Sequence, residues 1–198
     1  MTIFASIAGE IGPGEELVRL DQAFSDAIGQ SISTGTRSMF AAVTHLGDPM
    51  TLTALGVAAA IALLVRGERW LALGFVVAIA GNAVLNPILK SAFGRARPLH
   101  EHGPALAHGW SFPSGHASGS VVVYGMLAYV AIRTLPTAWH LPAVLLASAV
   151  AFTIGCSRVF IQVHFASDVA AGFASGSAWL ALCIGALELV RYRRRAPD

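Results

Sequence analysis

The chain has 198 residues, 55% of them hydrophobic and only 12% charged, with a formal net charge of +2 and a mean hydropathy of +0.65. Soluble domains carry about 25% charged residues, so the composition excludes an ordinary water-soluble globule and points to a membrane protein. So small a net charge, with no basic face, argues against nucleic acid as a partner.

In chain order, Met1 to Gly12 is an apolar stub, too short to span a bilayer and without the basic start of a signal peptide. Glu15 to Met39 spreads charges among Leu17, Val18, Leu20, Phe24, Ile28 and Ile32 at helical spacing. That pattern predicts an amphipathic helix lying on the membrane surface, with a helix packed on the bundle as the alternative. Residues 1–47 form this first unit, and residues 48–192 a membrane domain. Five apolar spans follow Asp48-Pro49, at about Met50–Val65, Trp70–Leu89, His116–Ile132, Leu141–Cys156 and Phe165–Val190. The connections Arg66-Gly67-Glu68-Arg69 and Arg133 to His140 fall on one side with the basic tail, residues 193–198. The positive-inside rule makes that side the cytoplasm and turns Lys90 to Pro113, and the turn around Phe160, outward. Trp70 and Trp110 sit near the predicted interfaces. Cys156 and Cys183 lie in apolar runs and read as packing residues. Gly172 and Gly176 form a small-xxx-small pair that lets the last span approach a neighbour closely.

Polar groups inside such a chain are costly and call for a reason. Between Ser111 and Leu187 the only acidic residue is Asp168, and the only arginines are Arg133 and Arg158. His164 and Asp168 are four apart and share a face on a helix. The carboxylate can accept a proton from one ring nitrogen and leave the other as a nucleophile; the plainer reading is a buried pair tying two helices together. The span order gathers three such clusters on the outer face: Lys90 to Pro98, Pro113 to His116, and Arg158 with His164 and Asp168. Each suits a phosphate. Lys90, Arg97 and Arg158 supply cations. Pro113-Ser114-Gly115 at a helix start points backbone N–H groups outward. His116 and His164 can divide the work of nucleophile and general acid.

Lys90, six residues, Arg97-Pro98; Pro113-Ser114-Gly115-His116; Ser157-Arg158, five residues, His164, three residues, Asp168: this pattern closely resembles the three-part signature of the type 2 phosphatidic acid phosphatase superfamily, over about Asp48 to Val190. The resemblance implies an all-α, polytopic transmembrane helix bundle, usually of six spans; with the first missing here or reduced to the stub, the expected fold has five to six spans and the N-terminal amphipathic helix read above. It implies that His164 attacks phosphorus to form a phosphohistidine while Asp168 orients its ring. His116 would protonate the leaving oxygen and then activate water. Lys90, Arg97, Arg158, Ser114 and the Gly115 amide would hold the phosphoryl oxygens. No metal and no other cofactor is implied, and the chain lacks the carboxylate cluster of a magnesium site. His100, Glu101, His102 and His108 read as a solvated loop rather than a metal site.

The expected activity is that of a lipid phosphatase at the outer face of a cytoplasmic membrane, its partners being membrane lipids and a lipid phosphate drawn sideways from the bilayer. Undecaprenyl diphosphate is the leading substrate, with phosphatidylglycerophosphate and phosphatidate as alternatives. The rival of another class is a non-catalytic scaffold or transporter, which would carry its polar groups near the midplane rather than at span ends. Oligomeric state is left open.

Overall fold

The computed structural model describes residues 2–12, 14–98 and 109–195, and their regular structure is entirely helical. Eight α-helices are present among these residues: α1 (Ile3–Gly9), α2 (Glu16–Ser31), α3 (Thr34–Val43), α4 (Pro49–Val65), α5 (Arg69–Phe93), α6 (Gly115–Thr134), α7 (His140–Phe160) and α8 (Ala166–Arg195). A 3-10 turn, Thr44–Gly47, joins α3 to α4. The four helices α5 to α8 are each long and apolar enough to cross a membrane. The 17-residue α4 passes the same test only together with α3, from which it bends by 42°.

Local chemistry sets the ends. Pro49 opens α4 at a position where its missing N–H is not needed. Gly94 closes α5 in the left-handed conformation, φ +56°, and its N–H bonds back to the Lys90 carbonyl. Ser114 caps α6 through its hydroxyl, which accepts from the Ala117 N–H.

The single helix expected over Glu15–Met39 is two. The chain is extended at Ile32, and Ser33 caps α3 by accepting from the Thr36 N–H at 3.1 Å. The hydroxyl competes with the helix for that backbone donor, which hydrophobic periodicity does not register. On α2, Asp21, Ser25 and Ile28 are buried, while Leu20 and Phe24 are exposed. The α1 stub packs along α8, and Phe4 meets Phe93 and Phe112 with ring centroids 5.9 and 5.7 Å apart.

Helix α6 is the axis of the bundle, packed against α4, α5, α7 and α8. Its core residues Val122, Val123 and Met126 meet Leu52, Phe75, Ala78 and Leu187 from the helices around it. The outward surfaces of α4, α5 and α7 carry Ile61, Leu64, Val76, Val84, Ile88, Leu145 and Phe152, all exposed, as a lipid solvent demands. Association in lipid cannot rest on hydrophobic burial alone, so close approach matters. At Gly172 a methyl would lie 2.6 Å from the Ser114 carbonyl oxygen, and at Gly176 2.7 Å from that of Ser118. The glycine pair therefore seats α8 on the backbone of α6, as its spacing predicts. At the opposite end of the bundle Arg194 stacks on Trp70, 4.0 Å from the ring centroid.

Candidate active site

The up-and-down path brings the C-terminal ends of α5 and α7 together with the N-terminal ends of α6 and α8. Lys90 closes α5, Arg158 closes α7, His116 opens α6, and His164 sits in the turn just before α8. A cavity of about 460 Å³ is lined by Lys90, Arg97, Gly115, His116, Arg158 and His164. Its remaining wall is largely apolar and comes from α4, α5 and α6, including Leu52, Ile79 and Val122.

Asp168 is the third residue of α8, and its Oδ2 accepts from the Phe165 N–H at 2.9 Å, half of a capping box. The same oxygen accepts from the Ser111 hydroxyl at 2.5 Å and lies 3.4 Å from His164 Nδ1. Oδ1 accepts from Arg95 Nη1 at 2.8 Å. His164 Nδ1 also lies 3.2 Å from Ser111 Oγ. Because the Ser111 proton goes to Asp168, the serine oxygen can only accept from the ring. On the other edge Arg97 Nη1 donates to His164 Nε2 at 3.2 Å, and a guanidinium cannot accept. Both contacts fix one tautomer, with the proton on Nδ1 and the lone pair on Nε2. Burial drives the imidazole pKa down and outweighs the opposing Asp168 carboxylate, leaving it well below the usual histidine range. His164 is therefore neutral, with its unprotonated nitrogen on the Arg97 side.

Each of the cations is anchored by hydrogen bonds. Lys90 Nζ donates to the carbonyls of Trp110 at 2.6 Å and Ser111 at 3.2 Å. Arg97 donates to the carbonyls of Val163 at 2.7 Å, Gly109 at 3.0 Å and Trp110 at 3.3 Å. Arg158 Nη1 donates to Thr44 Oγ1 at 2.9 Å, while its buried Nε has no hydrogen-bond partner among the described residues. A buried N–H left in that state is expensive unless an acceptor completes it. His116 Nε2 bonds Asp48 Oδ1 at 2.8 Å, and Asp48 Oδ2 is bonded by His45 Nδ1 at 2.7 Å.

Of the residues singled out in the sequence, Lys90, Arg97, Gly115, His116, Arg158 and His164 share the cavity, with Asp168 behind His164. Ser114 stands behind Gly115. It is fully buried, its N–H donates to the Asp168 carbonyl at 2.9 Å and its hydroxyl is used as the α6 cap. His100, Glu101, His102 and His108 lie outside the described residues.

Sequence reasoning missed Ser111, Arg95, Asp21, Thr44, His45 and Asp48. Arg95 is buried with its guanidinium between Asp168 and Asp21 Oδ2, 2.8 Å from each, and 4.5 Å over the Phe165 ring centroid. The Ser167 hydroxyl accepts from Arg95 Nη1 at 2.7 Å and donates to Asp21. The one available hint was Arg95 itself, two residues before Arg97 at the foot of a span. Asp21 sits on a charged helix and Asp48 before a proline, and neither position carries a sequence mark of its buried or cavity partner.

A model of the PAP2 superfamily matches residues 70–191. Phosphatidylglycerophosphatase B of Bacillus subtilis is 31% identical over 180 residues, covering 88% of this chain and 87% of that protein. A lipid A 1-phosphatase of Rhizobium johnstonii is 32% identical over 122 residues, covering 57% of this chain and 46% of its own length. Among solved structures, the transmembrane PAP2-type phosphatidylglycerolphosphate phosphatase from Bacillus subtilis superposes with a TM-score of 0.88 at 28% identity, covering 94% of this chain and 93% of the other. Aquifex aeolicus LpxE shares the fold, with a TM-score of 0.63 at 23% identity over 81% of this chain and 92% of the other. With the signature residues gathered on one cavity at the ends of four apolar helices, the chain belongs to the PAP2 superfamily and is a multi-pass membrane lipid phosphatase.

Proposed function

We propose that this protein hydrolyses the terminal phosphate monoester of a glycerophospholipid, phosphatidylglycerophosphate first among them, at the outer face of a cytoplasmic membrane. The single observation that carries the reading is His164: its Nδ1 is tied to Asp168 and Ser111, and its unprotonated Nε2 stands beside Arg97 in a cavity lined by cations. The names of the relatives favour a lipid monoester over undecaprenyl diphosphate, since one is a phosphatidylglycerophosphatase and another a lipid A 1-phosphatase.

The lipid tails stay in the bilayer, and the phosphate enters past the apolar wall built by α4, α5 and α6. His164 Nε2 attacks phosphorus in line; the N–P bond forms as the bond to the lipid oxygen breaks. His116 gives its proton to that oxygen, so that an alcohol leaves rather than an alkoxide. Lys90, Arg97 and Arg158 stabilise the charge that spreads over the equatorial oxygens, and the α6 N-terminus at Gly115 adds its dipole. Water then attacks the phosphohistidine, its proton passing to His116, and the N–P bond breaks. No step uses a metal. The inward-facing basic loops and tail set the orientation, with the site on the opposite side.

Phosphate release by purified protein in detergent, with EDTA throughout, tests the reading on phosphatidylglycerophosphate, phosphatidate and undecaprenyl diphosphate. Release in EDTA that is lost in His164→Ala is the expected result. Wild-type rates in that variant would refute the nucleophile, and a diphosphate hydrolysed fastest would refute the monoester preference.

A further inference from the structure

We propose that Asp48 is the positioning residue of the acid–base histidine, with His45 as its anchor; this rests on the phosphatase reading above. The 3-10 turn between α3 and α4 supplies His45, and Asp48 follows it directly, just before α4. His116 Nε2 is 2.8 Å from Asp48 Oδ1, and His45 Nδ1 is 2.7 Å from Asp48 Oδ2. A carboxylate with both oxygens engaged by ring nitrogens accepts from each, so His116 carries its first proton on Nε2. That leaves Nδ1 as the atom that turns to the substrate.

The two cavity histidines are thereby held in opposite tautomers. His164 keeps its proton on Nδ1 and offers the Nε2 lone pair, as a nucleophile must. His116 keeps its proton on Nε2, against Asp48, and exchanges the other at Nδ1. In the first half-reaction Nδ1–H goes to the leaving oxygen, and the imidazolium becomes neutral. In the second, Nδ1 takes the proton of the attacking water. The ring stays bonded to Asp48 throughout and need not flip. Among the described residues Asp48 supplies the negative charge against His116, which is otherwise faced by the cations Arg158 from α7 and Arg97 from the loop after α5, with Lys90 from α5 and His164 also lining the cavity. Without that carboxylate the charged, proton-donating form of His116 is disfavoured. The same turn places Thr44 on Arg158, so one short segment aims both a phosphate cation and the proton donor. His45, far more exposed than its partners, fixes the second oxygen of Asp48 from the solvent side.

The test is the pH profile of kcat and KM on phosphatidylglycerophosphate for wild type, Asp48→Asn, Asp48→Ala and His45→Ala. Asp48→Ala is expected to lower kcat by about tenfold or more with KM within about twofold, since general acid–base assistance is the term lost. Asp48→Asn keeps an acceptor for Nε2–H but loses the charge. Its kcat falls less, and the basic limb of its profile moves to lower pH by about half a unit or more. His45→Ala has the smallest effect. An Asp48→Ala variant as fast as wild type or faster would show that the carboxylate merely rests on His116, and overturns the inference. So does an Asp48→Asn profile whose limbs stay in place. A wild type that releases no phosphate from any lipid overturns the phosphatase reading itself, which a working wild type with unaffected Asp48 variants does not.

Discussion

Replacing Gly172 by alanine tests whether the seat of α8 on α6 sets the active-site geometry. The added methyl lies 2.6 Å from the Ser114 carbonyl oxygen and 2.9 Å from the Ala117 Cβ, and the first contact needs about 0.8 Å of separation to reach an ordinary 3.4 Å. The neighbour is helix backbone, so no side chain can rotate away. The Ser114 N–H to Asp168 carbonyl bond, now 2.9 Å, would stretch beyond hydrogen-bond range with the same separation. Asp168 and His164 ride on one helix end and Gly115 and His116 on the other, so His164 moves relative to His116. Overpacking of this kind costs about 1–3 kcal/mol, and a misplacement approaching 1 Å lowers turnover by about 10–100-fold. Thermal unfolding in detergent and kcat on a lipid monoester read the two effects. Gly185→Ala on the same helix is the control, because nothing lies within 4 Å of its added methyl; alanine there should be neutral or stabilising by about 0.5–1 kcal/mol. Wild-type stability and turnover in Gly172→Ala would refute the close-packing argument.

Three further outcomes are expected. Asp21→Ala removes one of the two carboxylates on the buried Arg95 guanidinium and should destabilise the protein by about 3–5 kcal/mol; an unchanged unfolding temperature in detergent would show that the ion network is not structural. Ser111→Ala removes the hydroxyl that donates to Asp168 and accepts from His164, and should lower kcat by about 3–10-fold with KM little altered; an equal rise in KM would place Ser111 in binding instead. The acid limb of activity should lie below about pH 6.5, the ordinary histidine value, because burial holds the folded His164 below it. For stability the sign is the same: below about pH 6.5 the unfolded chain takes up a proton that the folded ring refuses, so stability is lost as pH falls. Activity that already declines above pH 7 on the acid side would contradict a buried, neutral His164.

The spans were legible because lipid leaves a long signal: each of the five apolar runs is a helix in the structure, with ends shifted by a few residues. Placing the clusters at one end needed only the alternation of spans, and Lys90, Gly115, His116, Arg158 and His164 do meet there. What escaped was of two kinds. The break at Ile32–Ser33 turns on one hydroxyl competing for one backbone donor, which periodicity averages away. The supporting roles of Asp21, Asp48 and Ser111 leave no mark in the sequence because their partners, Arg95, His116 and the His164–Asp168 pair, come from segments distant in the chain. The i, i+4 spacing of His164 and Asp168 predicted a direct pair, whereas the Ser111 hydroxyl is the shorter link to Asp168, at 2.5 Å against 3.4 Å.

The segment at residues 44–48 has a consequence for where the site can be altered. The superfamily model begins at residue 70, so it takes in His164, His116 and the cations Lys90, Arg97 and Arg158. Asp21, Thr44, His45 and Asp48, which grip Arg95, Arg158 and His116 from outside, all precede it. The supports of the site thus come partly from the first quarter of the chain and partly, as with Arg95 and Ser111, from within the matched span. Substitutions at Asp21, Thr44, His45 and Asp48 would change how Arg95, Arg158 and His116 are held while leaving every residue of the three-part pattern as it is.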